Sequence, residues 1–231
     1  MANIKQGITV NKPSFPKRPQ IRVQGVKPLL RGVADVLAVI VAVPAVAFLI
    51  AHAQARATLS AAIYGASVFL LFATSAIYHV PMWPKHIRRW LQRLDHSAIY
   101  VLIAGTYTPF CLLALEPQLG HILLGVVWTI AGLGLLKSFF WTHAPRFITT
   151  IIYVGFGWLM VPFVPQLVAG ADALSLVLLA IGGMAYTSGA MVYAKRWPNP
   201  DPAIFGYHEI FHIFVIFAAA CHYLAVWVMV M

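Results

Sequence analysis

Charge is scarce in this chain. Of 231 residues only 10% are charged, and six of those are acidic; a soluble domain carries roughly a quarter. The deficit excludes an ordinary soluble domain. Cysteine is scarcer still: Cys111 and Cys221 both lie in apolar stretches, which reads as small buried side chains and excludes a disulfide framework. No internal repeat with a period of about 20–50 residues is visible. The last apolar run contains no lysine, which excludes a retinal Schiff base there.

What the chain has instead is hydrocarbon. Hydrophobic residues make up 61% of it. A bilayer core needs roughly 20 consecutive apolar residues per helix, and seven such runs fall near 33–52, 60–80, 95–115, 119–140, 147–168, 173–194 and 207–229. The connections are short, so the reading is an all-α bundle of seven transmembrane helices over 31–231. Residues 1–30 are polar and basic, with Pro13, Pro16, Pro19 and Pro28, and read as an extended cytoplasmic arm. Ala51-His52-Ala53 mimics a signal-peptide cleavage site, but the first apolar run begins after about 30 polar residues and is long enough to span.

The net charge of +10 is a topology signal rather than a nucleic-acid footprint. With the N-terminus inside, every lysine and arginine except Arg56 falls on the inner side. That is the positive-inside pattern, and it gives a cytoplasmic N-terminus and an external C-terminus. Trp83, Trp90, Trp141 and Trp197, near the span ends, read as interface anchors.

The same topology brings unusual polar residues to one layer. The second span ends at Ser75-Ala76-Ile77-Tyr78-His79, the third begins at Leu94-Asp95-His96-Ser97, and the seventh begins at Tyr207-His208-Glu209-Ile210-Phe211-His212. A helix puts His208 and His212 on one face, one turn apart, within reach of a shared metal ion. His79 arrives at similar depth from another span. Three neutral imidazoles leave a fourth tetrahedral position for water, the arrangement of a catalytic zinc. Asp95 is the candidate proton acceptor, and Ser75, one turn deeper than His79, the candidate supporting hydroxyl. Each has a plainer alternative. Asp95 also suits a helix start, where an acid complements the macrodipole, and Ser75 could bond its own helix backbone. His96 is expected to face away from the Asp95 side, and His52, His86, His121, His143 and His222 to be interfacial or packing residues.

Together, Ser75-x3-His79, the run Leu94–Tyr100 continuing to Ala104-Gly105-Thr106-Tyr107-Thr108-Pro109-Phe110, and Gly206–His212 resemble the hemolysin III family. That family is the bacterial branch of the progestin and adiponectin receptor (PAQR) proteins, related to alkaline ceramidases. The resemblance runs from about residue 27 to the C-terminus. It implies seven helices with the N-terminus inside, zinc (Zn2+) held by His79, His208 and His212, Asp95 near the water on the metal, and Ser75 adjoining. It also implies residence in the bacterial plasma membrane, with membrane lipids as substrate or ligand, and links to lipid amide hydrolysis, haemolysis and membrane homeostasis.

Three functions compete at this point. One is a zinc-dependent hydrolase of a membrane lipid amide or ester. Another is a pore or lipid sensor with structural zinc, although the spans carry no regular polar face for an aqueous channel. The third is an intramembrane protease, because His208-Glu209-x-x-His212 spells H-E-x-x-H with Glu209 as alternative base. That motif normally takes its third ligand from downstream, and His79 lies upstream.

The topology reading has a direct check. A reporter active only in the cytoplasm, fused after Met231, should stay silent, and one active only outside should light up; the reverse result would dissolve the layer.

Overall fold

The computed structural model describes residues 27–141 and 144–231; most of the expected basic arm, and His143, lie outside the described residues. Seven helical segments are long and apolar enough to cross a membrane, and no strand is present among the described residues beyond one isolated bridge, Asp201–Phe205. In order they are α1 (Val33–His52), α2 (Thr58–His79), α3 (Lys85–Leu113) and α4 (Pro117–Phe140). A composite fifth span follows, built of α5 (Arg146–Gly157), a 3-10 stretch (Trp158–Phe163) and α6 (Val164–Gly170). Then come α7 (Ala173–Lys195) and α8 (Tyr207–Val230).

Two segments differ from the sequence reading. The third helix starts at Lys85, ten residues before the expected 95. Lys, Arg, Gln and Leu are good helix formers, so the polar lead Lys85–Leu94 continues the helix past the apolar stretch. The fifth span is not one continuous helix. Pro162 and Pro165 each remove a backbone donor, which breaks the α-ladder. At the break Tyr107 donates its hydroxyl to the carbonyls of Phe156 (3.2 Å) and Gly157 (3.0 Å), as hydrocarbon requires of a freed backbone group.

Helices α1 to α4 pack as successive neighbours, α7 pairs with α8, and α8 closes the bundle against α1, α2 and α3. Buried hydroxyls tie the helices across their backbones. Ser175 donates to Ala225 O at 2.8 Å, and Tyr223 to Ala45 O at 2.8 Å. At the start of α4, Glu116 accepts from the amides of Gln118 and Leu119, both at 3.1 Å, with Pro117 at the first helical position. The basic end of the bundle, where α2 finishes and α3 and α8 begin, therefore collects the three polar segments noted in the sequence.

Close helix approach rests on small residues. A Cβ on Gly120 of α4 would stand 2.1 Å from the carbonyl oxygen of Cys111 on α3, whereas nothing lies within 4 Å of a Cβ on Gly125. Gly120→Ala should therefore force the helices apart and destabilise by about 1–3 kcal/mol. Gly125→Ala should be neutral or stabilising by up to about 1 kcal/mol through helix propensity. Unfolding of the two purified variants in mixed micelles compares them; equal stability would mean that α3 and α4 are not packed this closely.

Candidate metal centre and its cavity

The site is assembled where α1, α2, α3 and α8 meet. α2 delivers His79 from its last residue, and α8 delivers His208 and His212 from its first and second turns. Gly32, with φ of +83°, caps α1 and allows the turn to lie against α2. A Cβ there would stand 2.9 Å from Cβ of His79, so both the left-handed backbone and the contact demand glycine.

The three imidazoles face one point. The ring of His79 lies 4.7 Å from that of His208 and 5.1 Å from that of His212, while His208 and His212 are 4.6 Å apart. One nitrogen from each falls within 4.8 Å of the other two. Nε2 of His79 and Nε2 of His208 are 3.2 Å apart. Two nitrogens bound at about 2.0–2.1 Å on a tetrahedral ion would be separated by roughly 3.3 Å. Nε2 of His212 is buried and has no hydrogen-bond partner. A buried, unpartnered ring nitrogen aimed into an all-nitrogen cluster is what a metal ligand looks like before the ion is added. The residues fit a metal ion.

A carboxylate that the sequence reading passed over holds this cluster in register. Asp35, 1% exposed in the first turn of α1, accepts a 2.8 Å hydrogen bond at Oδ1 from Nδ1–H of His212. An ionised carboxylate can only accept, so the proton sits on Nδ1 and Nε2 keeps its lone pair for the cluster. Carboxylate–histidine pairs of this kind orient a ligand and raise its basicity. The signal was present in the sequence: an acid within the first apolar run is a site candidate by default.

One turn before Asp35, Arg31 reaches Glu209 at 2.5 Å. Glu209 Oε2 also accepts from Gly206 N at 2.8 Å, satisfying an amide at the start of α8. The candidate alternative base is thus committed to Arg31 and to the helix start. Leu29 and Leu30 donate backbone hydrogen bonds to Ala203 and Ile204, so the α1 lead and the α7–α8 connection are stitched together. Lys27 donates to Val80 O at 2.5 Å; burial, with the guanidinium groups of Arg31 and Arg88 nearby, pulls its ammonium below the usual lysine value.

Asp95 and Ser75 line the same cavity as the three histidines. The Ser75 hydroxyl is buried, and Asp95 lies beside it with His212 and Asp35 close by. The structure thus brings together all five residues singled out in α2, α3 and α8, and adds Asp35. His96 also lines the cavity rather than turning from it, because the space extends along α3 toward α5. His222 is a packing residue, 3.1 Å from Leu179 O, at the deep wall.

The cavity holds about 530 Å³, inside the range of sites for small molecules. Polar groups cluster at its basic end. Below them the walls are mostly apolar, with Leu71, Phe72, Ile103, Phe110 and Val215. Val161 and Val168 line it and are also 49% and 63% exposed on the bundle surface, so the space opens sideways past the broken fifth span.

Fold and site define the class: a seven-span helical membrane protein with a buried three-histidine centre at one end of an apolar cavity. A family model described as Haemolysin-III related matches residues 23–223. Hemolysin-3 of Bacillus cereus is 37% identical over 194 residues, covering 81% of this chain and 84% of that protein. The Hemolysin-3 homolog of Bacillus subtilis (strain 168) is 36% identical over 195 residues, covering 82% and 88%. The human Monocyte to macrophage differentiation factor is 31% identical over 176 residues, covering 73% and 69%. The chain belongs to the hemolysin III family, within the PAQR superfamily, and is an integral bacterial membrane protein.

If Asp35 orients His212, Asp35→Asn should preserve the fold yet weaken zinc binding by about 10–100-fold. Competition with a chromophoric chelator on the purified protein measures this. An unchanged affinity would reduce Asp35 to a helix-packing residue.

Proposed function

We propose that this protein is a zinc-dependent hydrolase of an amide or ester bond in a membrane lipid, seated in the bacterial plasma membrane with its basic end in the cytoplasm. The observation that carries the reading is the placement of three converging imidazoles, with Asp95 and Ser75, at the polar end of an apolar cavity open to the side. A structural metal needs neither a cavity nor an unpaired carboxylate beside it. An apolar-walled space is also poor as an aqueous pore.

His79, His208 and His212 would hold the zinc, which when bound polarises a carbonyl and lowers the pKa of water to about 7. The acyl chain lies along the apolar wall, which positions the carbonyl near the histidines and keeps bulk water out. Asp35 keeps His212 in the tautomer whose Nε2 faces inward. Asp95 takes the proton from the attacking water as its oxygen bonds to the acyl carbon. It then returns that proton to the leaving nitrogen or oxygen as the acyl bond breaks. Ser75 steadies Asp95 or the carbonyl by a hydrogen bond. The products are a fatty acid and the deacylated headgroup. A relative's name, Hemolysin-3, is compatible with such an activity, because removing acyl chains weakens a membrane.

Asp95→Asn should retain zinc and fold while lowering turnover by about 10²–10⁴-fold, since the amide keeps the shape but cannot take the proton. Glu209→Gln should instead lower stability, through the lost Arg31 pair, and leave turnover nearly intact. Hydrolysis of acyl amide and ester lipids by purified protein, with zinc assayed on the same sample, separates the two. Full turnover by Asp95→Asn, or zinc loss as complete as that of His208→Ala, removes the general-base role.

A further inference from the structure

All six acidic side chains of the chain are described, and their partners leave one group of cations unmatched. Glu116 and Asp172 sit at the end opposite the histidines, where α4 and α7 begin. Asp201 bonds the amides of Ala203 and Ile204 in its own loop. Glu209 pairs with Arg31, and Asp35 with His212. Asp95 makes no ion pair with any described lysine or arginine. Yet Arg93 on α3, Lys137 on α4 and Arg146 on α5 all line the cavity at its basic end.

Topology explains basic residues at this end but not why these three face one space. Lys85, Arg89 and Lys195 serve the same topological bias and do not line the cavity. The three that do are positioned by neutral groups. Lys137 Nζ donates to Thr149 Oγ1 at 2.8 Å, Arg146 lies 5.7 Å over the Tyr193 ring, and Arg93 lies 4.8 Å over the Trp90 ring. Nε of Arg93 is buried without a partner. The Tyr193 ring, 5.8 Å from that of His208, links this rim to the histidine cluster. Three cations from three helices, held by aromatic faces and a hydroxyl and with no carboxylate in ion-pair contact, suit an anion. Basic pockets between membrane helices hold phosphate headgroups in this way.

We infer that the cavity takes an acyl lipid whose headgroup carries a phosphate a few bonds from the acyl carbonyl, a glycerophospholipid or its one-chain form. The phosphate rests on Arg93, Lys137 and Arg146, and the acyl chain fills the apolar depth. This rests on the lipid-site reading above and narrows its substrate class: neutral acyl lipids, ceramide among them, lack the group that the rim recognises. Arginine supplies the planar fork that matches phosphate oxygens, and lysine a point charge.

The experiment uses the full chain in micelles of dodecyl maltoside, a detergent with neither phosphate nor acyl ester, and measures equilibrium binding of labelled oleoyl lysophosphatidate. Monooleoylglycerol, with the same acyl ester and no phosphate, and inorganic phosphate, with no chain, serve as competitors. Lysophosphatidate should bind at least about tenfold more tightly than either, and rising salt should weaken it. Exchanging Arg93, Lys137 and Arg146 together for Gln should weaken it by about 10–100-fold. Arg93→Lys with Arg146→Lys should recover part of the loss. Exchanging Lys85, Arg89 and Lys195 for Gln, an equal change of charge outside the cavity, should leave it unchanged. Equal binding of monooleoylglycerol overturns the inference, as does equal loss from the control triple, which would report only surface charge. Inorganic phosphate binding as tightly as lysophosphatidate would make the rim a free-anion site and remove the lipid. Binding is read without turnover, so a protein that holds lysophosphatidate and hydrolyses nothing keeps this inference and loses the hydrolase. A protein that cleaves monooleoylglycerol as fast as lysophosphatidate does the opposite.

Discussion

A buried carboxylate and a buried imidazole, Asp35 and His212, meet at 2.8 Å in a part of the bundle where water is scarce. Leaving either alone there would cost several kcal/mol, so each constrains the helix that carries the other. The start of α1 is pinned to the start of α8, and the Arg31–Glu209 pair repeats the link one turn earlier. His208, on the same α8 face as His212, is carried into position against His79 by that constraint. The order of the histidine cluster thus depends on an interaction between the first and last spans, the ends of the described bundle farthest apart in sequence.

The apolar depth follows from the opposite condition. Below the histidines the walls are mostly apolar, and where the fifth span leaves the α-helical path Tyr107 donates to the carbonyls of Phe156 and Gly157. The broken span, packed mainly against α7, lines a cavity that meets the surrounding lipid at Val161 and Val168. Site and entrance are therefore built by different devices: buried charge pairing at one end, and proline-broken winding along the side.

The elements legible in the sequence were those with a strong local signature. Apolar length gave seven spans, and alternation of direction along the chain brought His79, Asp95, His208 and His212 to one layer without any knowledge of packing. Ser75 followed from its spacing to His79. The boundary of α3 was less legible, because a polar segment rich in helix formers continues a helix without any apolar run to mark it. The 3-10 interruption of the fifth span was signalled by its two prolines but hidden beneath a continuous hydrophobic run.

Asp35 and the cationic rim show where the sequence by itself stops. Composition and periodicity determined the class of the protein, the number of spans, and which polar residues share a depth, because the thickness of hydrocarbon and the helical repeat fix these for any packing. Which residues share an azimuth was decided only by the tertiary structure. The rotation of α1 turns Asp35 onto His212. The rotations of α3, α4 and α5 turn Arg93, Lys137 and Arg146 onto the cavity while Lys85 and Arg89 face elsewhere. Depth is a one-dimensional property of the chain; direction around a helix acquires meaning only when neighbouring helices pack against it.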